Sequence, residues 1–297
     1  MSCIRVRDID ICHELDGTGP RLLKIWGTGG DLRRPQTDFD RLLVANFTVL
    51  AFDQRGMGRS GKPARDYGMA DYADDAAGLM AALGWDSAAV LGYSFGGMVA
   101  QELALRHPAR VERLVLMSTS AGGAGGSSHP LHELAELDDE ERVRRLLELA
   151  DNRRTAQWQA AHAALWQSLV DDGLAALRLG ADDPLQRAGS LRQFGARRGH
   201  DTWDRLPGLT MPASVFAGCH DAIAPPQLQR RLAERIPGAT YREFEGGHLF
   251  FVQDPSAAPI VVEALSPSLD GQKVMPPAQP GAVSPADGAG DTARRSA

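Results

Sequence analysis

The sequence predicts an α/β fold: a mostly parallel central sheet flanked by helices, with a block of helices inserted in its second half. Three observations predict it. Between Leu22 and Met117 short apolar runs alternate with amphipathic stretches, the pattern of strands joined by helical crossovers. From Leu131 to about Arg205 only the helical period is visible, and strand-like runs resume after it. A serine set among glycines sits at one strand-to-helix junction, Gly92 to Gly97.

Taken in order, Leu22 to Trp26 is a strand ending in the turn Gly27-Thr28-Gly29-Gly30. Phe47 to Phe52 is a second, stopped by Asp53 and the loop Gln54 to Gly61. Met69 to Leu83 has helical spacing with Gly84 as its stop. Ala88 to Leu91 is a third strand, Phe95 to Arg106 a helix ended before Pro108, and Val111 to Met117 a fourth strand. Gly122 to Ser128 is small and lacks apolar anchors. Helical periods then run through Leu134, Leu137, Val143, Leu146 and Leu147, and through Trp158, Leu165, Trp166 and Leu169. Ala213 to Phe216 and Thr240 to Phe244 are strands, with the helix Gln227 to Arg235 between them. This divides the chain into a core of 1–121 and 206–265, a helical lid of 122–205 and a tail of 266–297. The tail is rich in Pro, Gly, Ala and Ser and is expected to be disordered.

The chain has 297 residues and a formal charge of −6, with no cluster of Lys and Arg. That points away from nucleic acid and towards a small-molecule substrate. No run approaches the roughly 18 apolar residues of a membrane span, so no membrane partner is expected. The residues specify no oligomeric state. The three cysteines, Cys3, Cys12 and Cys219, are odd in number and scattered. They are expected to be reduced thiols of a cytoplasmic protein. No metal spacing and no cofactor motif stands out: Gly27-x-Gly29 lacks the third glycine and the acidic partner of a dinucleotide loop.

Gly92-Tyr93-Ser94-Phe95-Gly96 has the form G-x-S-x-G between strand and helix, the nucleophile elbow. A serine on so sharp a turn needs small neighbours, which Gly92, Gly96 and Gly97 supply. An alcohol needs a base to take its proton. Among eight histidines, His248 sits in a glycine-flanked loop just past the strand Thr240 to Phe244, where active sites of open sheets gather. His13, His107, His129, His132, His162 and His200 are expected to serve the surface or packing. Asp221, past the strand Ala213 to Phe216, is the acid that would orient His248; Asp201 and Asp204 are weaker rivals. Asp53 is expected to tie down the loop after its strand. The oxyanion needs two donors: the Phe95 N–H and the Thr28 N–H, with Gly27 and Gly29 as substitutes.

With these residues in view, the chain resembles the α/β-hydrolase superfamily from about residue 10 to 265. Asp53-Gln54-Arg55-Gly56-Met57-Gly58-Arg59-Ser60 is similar to the D-x-R-G-x-G-x-S segment common there, and the order Ser94, Asp221, His248 is that of the fold. The small esterase and enol-lactonase branch is the nearest in kind. The resemblance implies hydrolysis of a carboxylic ester or lactone through an acyl-enzyme, without a cofactor. Trp26 stands where the family usually has histidine and would shape the acyl pocket; Trp158, Leu165, Trp166 and Leu169 would line it from the lid. Dehalogenases and epoxide hydrolases of the superfamily carry an aspartate in place of Ser94. Carbon–carbon bond hydrolases commonly place a tryptophan after the histidine, where this chain has Leu249. Those hydrolases, cofactor-free perhydrolases, a non-hydrolytic biosynthetic enzyme and a catalytically silent binding protein are the alternatives.

Overall fold

A computed structural model describes residues 1–267. Eight strands form one sheet: β1 (Ser2–Val6), β2 (Ile9–Asp16), β3 (Arg21–Ile25), β4 (Thr48–Phe52), β5 (Ala88–Tyr93), β6 (Val111–Met117), β7 (Ala213–Gly218) and β8 (Thr240–Phe244). Their spatial order is β1-β2-β4-β3-β5-β6-β7-β8. From β4 onward every pairing is parallel, while the β1–β2 hairpin joins β4 antiparallel. The helices are α1 (Asp38–Asn46), α2 (Met69–Ala82), α3 (Phe95–Arg106), α4 (Asp139–Ala150), α5 (Ala156–Ala161), α6 (Ala163–Arg178), α7 (Gln186–Arg198), α8 (Pro226–Arg235), α9 (Phe250–Gln253) and α10 (Ala257–Leu265).

The strands read from apolar runs are present within about two residues of their expected ends. β5 is buried along its whole length, as a central parallel strand covered on both faces must be. One face packs on α2, α3 and α8, the other on α1 and α10. α1 was not anticipated. It starts at a capping box, with Thr37 Oγ1 accepting the Asp40 N–H and Asp40 Oδ2 accepting the Thr37 N–H. The tail 266–297 lies outside the described residues apart from its first two.

The hairpin corrects one expectation. Cys3 and Cys12 are register partners with Cα atoms 3.9 Å apart, and they form a disulfide. Only Cys219 among the three is a free thiol. Antiparallel pairing brought together two residues whose sequence separation gave no hint of it. The thiol argument for a cytoplasmic location falls with it. No helix among the described residues is long and apolar enough to cross a membrane.

The helical insertion leaves and rejoins the core at one point. Gly122 bridges Asp201, and the Thr202 N–H donates to the Ala121 carbonyl at 2.9 Å. α6 packs on α4 through Val143, Trp166 and Val170. His200 braces the junction, its Nε2 donating to the Ser120 carbonyl at 3.1 Å. Burial pushes the His200 imidazole down to about 4, against about 6.5 in an unfolded chain. The unfolded state therefore takes up the proton first, and stability falls as the pH drops through that window, by up to about 3 kcal/mol near pH 4. Chemical denaturation from pH 7 to pH 4 should show His200→Gln losing correspondingly less stability than the wild type.

Candidate active site

Three loops at one edge of the sheet bring the site together. Ser94 follows β5 with φ 54° and ψ −118°, a conformation that L residues avoid. It is held there by its N–H to the Met117 carbonyl at 2.8 Å and by Thr119 Oγ1 donating to the Ser94 carbonyl at 2.8 Å. A Cβ on Gly96 would overlap the Ile25 carbonyl at the end of β3. The elbow thus closes only with glycine at that position.

His248 Nε2 lies 2.9 Å from Ser94 Oγ, and His248 Nδ1 lies 2.7 Å from Asp221 Oδ2. The other oxygen, Asp221 Oδ1, accepts the Ile223 and Ala224 N–H groups at 2.8 and 2.9 Å. The carboxylate is therefore fixed in place and can accept from Nδ1–H, leaving Nε2 to accept the serine proton. Ser94, Asp221 and His248 are 6 %, 2 % and 6 % exposed, so the relay is sheltered from bulk water. Asp201, the rival acid, closes the lid junction instead. Asp53 is buried and accepts the Leu32 and Arg59 N–H groups at 2.7 and 2.9 Å, tying down its loop as expected.

The Phe95 N–H opens α3, where a helix offers it no acceptor. In the turn after β3, the Gly30 N–H goes to the Gly27 carbonyl at 3.1 Å and the Gly29 N–H to Gln193 Oε1 at 2.8 Å. Gly29 is thereby engaged, and the Thr28 N–H is left without a protein acceptor among the described residues.

Residues that the sequence offered for the substrate pocket are placed differently. Trp26 packs on Tyr93 and Phe251, with Lys24 Nζ 4.6 Å from its ring centre. Its carbonyl accepts Gln54 Nε2 at 2.8 Å, so it anchors the loop from below. Trp158 and Trp166 sit in the lid's own small core, and Leu165 is 52 % exposed. The reason is that the apolar face of α6 is spent on α4. A second small buried cluster of the insertion, Leu131, Leu134 and Leu149 with Phe194 at its edge, packs on Ile223, two residues after Asp221. A surface cleft of about 770 Å³ between Tyr67 and Gly199 contains none of the triad.

Two contributions of the helical insertion were not visible in the sequence. The end of α4 hydrogen-bonds the loops of both Asp221 and His248: the Leu149 carbonyl accepts from Ala222 N at 3.0 Å and the Ala150 carbonyl from His248 N at 2.6 Å. Gln193 on α7 holds the loop of Thr28. Ligand atoms of Cys219, His220 and Glu245 also come within 4.8 Å of one another, but Glu245 is ion-paired with Arg153.

Residues 26–255 match the family described as the alpha/beta hydrolase fold. The chain belongs to that family. Among curated relatives of this alpha/beta hydrolase is a protein of Variovorax paradoxus named as a carbamate hydrolase, RutD. It is 32 % identical over 241 residues, covering 80 % of this chain and 87 % of the relative. A poly(3-hydroxyalkanoate) depolymerase of Ectopseudomonas oleovorans is 29 % identical, covering 76 % and 78 %. Among solved structures, the enol-lactonase of Burkholderia xenovorans LB400 is similar at a TM-score of 0.72 and 25 % identity, covering 89 % of this chain and 99 % of that one.

A Cβ on Gly247 would overlap the Ala150 carbonyl that receives the His248 N–H. Gly247→Ala should cost about 1–3 kcal/mol of stability in denaturant melts, as overpacking does. It should also slow phosphonylation of Ser94 by displacing His248.

Proposed function

We infer that this alpha/beta hydrolase cleaves a carboxylic ester or lactone of a small molecule through an acyl-enzyme on Ser94. One observation carries the reading: the unbroken line Asp221–His248–Ser94, with contacts of 2.7 and 2.9 Å. Ser94 Oγ attacks the carbonyl as His248 Nε2 takes its proton, and Asp221 stabilises the imidazolium. The Phe95 and Thr28 N–H groups receive the oxyanion, a contribution worth about 100- to 1,000-fold in rate per donor. The imidazolium returns its proton to the leaving alkoxide. The neutral imidazole then takes a proton from water, which attacks the acyl carbonyl, and passes that proton to Ser94 Oγ as the acid leaves. The enol-lactonase likeness favours a lactone or ester, as does the depolymerase.

A second reading, carbamate hydrolysis, is supported by the RutD relatives. It uses the same attack on a carbonyl carbon. Leu249, in the position after His248, weighs against carbon–carbon cleavage.

A fluorophosphonate probe should label the wild type at Ser94, read by mass spectrometry of the peptide, and leave Ser94→Ala unlabelled. Absence of an adduct on wild type would favour a silent binding protein. Labelling without turnover of any ester, lactone or carbamate in a panel would point to a non-hydrolytic enzyme. In the panel, Asp221→Asn should reduce kcat by about 1,000- to 10,000-fold, the effect of losing the correct imidazole tautomer.

A further inference from the structure

The ends of β7 and β8 carry a second side-chain cluster, outside the relay. Cys219 and His220 precede Asp221, and Glu245 stands three residues before His248. Their ligand atoms, a thiol sulfur, an imidazole nitrogen and a carboxylate oxygen, lie within 4.8 Å of one another. Glu245 Oε1 is 3.1 Å from His220 Nε2, and Glu245 Oε2 accepts from Cys219 Sγ at 3.5 Å. Cys219 and His220 are partly buried and Glu245 is exposed, so an ion from solvent has an open approach.

The backbone presets this arrangement. The Cys219 N–H donates to the Phe244 carbonyl at 3.0 Å and the His220 N–H to the Gly246 carbonyl at 2.8 Å, the residues on either side of Glu245. The Glu245 N–H donates to Asp254 Oδ2 at 3.0 Å. The two segments therefore lie side by side without help from the three side chains, and a ligand has little backbone left to order. Arg153, which donates to Glu245 Oε1, is itself neutralised by Asp151, which it reaches from Nε at 2.9 Å and Nη2 at 2.7 Å. It acts on Glu245 as the hydrogen-bonded support that orients a ligating carboxylate.

The donor set selects the ion. Magnesium and calcium take oxygen ligands, whereas a thiolate, an imidazole and a carboxylate together suit zinc. The thiolate and the carboxylate also balance its two charges. A tetrahedral zinc, with bonds of about 2.0–2.3 Å, spaces nitrogen and oxygen ligands about 3.4 Å apart and sulfur and oxygen ligands about 3.6 Å apart. The observed 3.1 and 3.5 Å lie close to those spacings.

We propose that Cys219, His220 and Glu245 bind a zinc ion, with water in the fourth position, clamping the segment before Asp221 to the segment before His248. On binding, the Cys219 S–H gives its proton to solvent, and His220 coordinates through the lone pair of Nε2 with its proton on Nδ1. The site does not depend on the hydrolase reading. Titration of the untagged full chain with Co²⁺, then Zn²⁺, tests it.

Wild type should develop the near-ultraviolet absorption of a thiolate bound to cobalt, and Zn²⁺ should abolish that band by displacement. Cys219→Ser should lack the band. Calorimetric Zn²⁺ affinity should fall at least about tenfold in Cys219→Ser and in Glu245→Gln, since loss of even a supporting partner costs about 10- to 100-fold. Mg²⁺ should neither bind nor displace cobalt. Absence of the band in wild type, or an affinity that either substitution leaves within about threefold of wild type, overturns the site and leaves only adventitious binding at other histidines. Alkylation of wild type decides the matter if a variant does not fold, because Cys219 is the free thiol. Zn²⁺ should slow its reaction with iodoacetamide at least about tenfold, as a metal-bound thiolate is withdrawn from attack; an unchanged rate overturns the site.

Discussion

The site depends on one backbone conformation. Ser94, at φ 54° and ψ −118°, lies where a non-glycine residue costs roughly 1–3 kcal/mol. That cost is tolerable because the surroundings leave the turn no alternative: strand β5 below it is buried on both faces, the Met117 carbonyl takes its N–H, and α3 begins at the next residue. Holding the hydroxyl above the sheet leaves the other two groups only to arrive. They arrive from the ends of β7 and β8, which lie beyond β6 on the same side of β5 in the sheet. The parallel order places all three strand ends at one edge, where ligand crevices form in open sheets.

The parts of this arrangement that are local in the chain were readable from it. The apolar runs of β3 to β8, the α3 helix and the glycine-flanked Ser94 each declare themselves within a dozen residues. Asp221 and His248 could be picked out because both lie in turns just past a strand. The parts missed are non-local. Cys3 and Cys12 meet because of hairpin register, which a scattered pair of cysteines does not advertise. Strand β1 presents mostly exposed residues, so its pattern lacked an apolar signal. Trp166 read as a pocket residue because a tryptophan at helical spacing looks the same whether its helix faces the sheet or another helix. The partner on α4 decided the outcome. Gln193 carried no signal at all: one polar residue in an arginine-rich helix acquires meaning only when Gly29 is seen against it.

Polar groups brace the helical insertion and the sheet core, each from within. Arg197 Nη1 and Nη2 donate to the His129 carbonyl and to Ser128 Oγ, each at 2.7 Å. Arg55, fully buried, is held between Asp75 and Asp8 at 2.7 Å from each. Such contacts add little net energy but are exacting in geometry, and removing one partner of a buried pair costs about 3–5 kcal/mol. They specify how their own segments must lie, more than how firmly the chain folds.

The stitching of α4 to the loops of Asp221 and His248 has a consequence for how this enzyme could change. Insertions over a conserved scaffold invite the idea of interchangeable caps, each bringing its own selectivity. Here the insertion's leading helix is part of the scaffold, since its last two carbonyls are backbone partners of the Asp221 and His248 loops. Exchange of selectivity by recombination is therefore confined to the stretch after Asp151, and a graft that began earlier would carry away the framework of the chemistry along with the old cap.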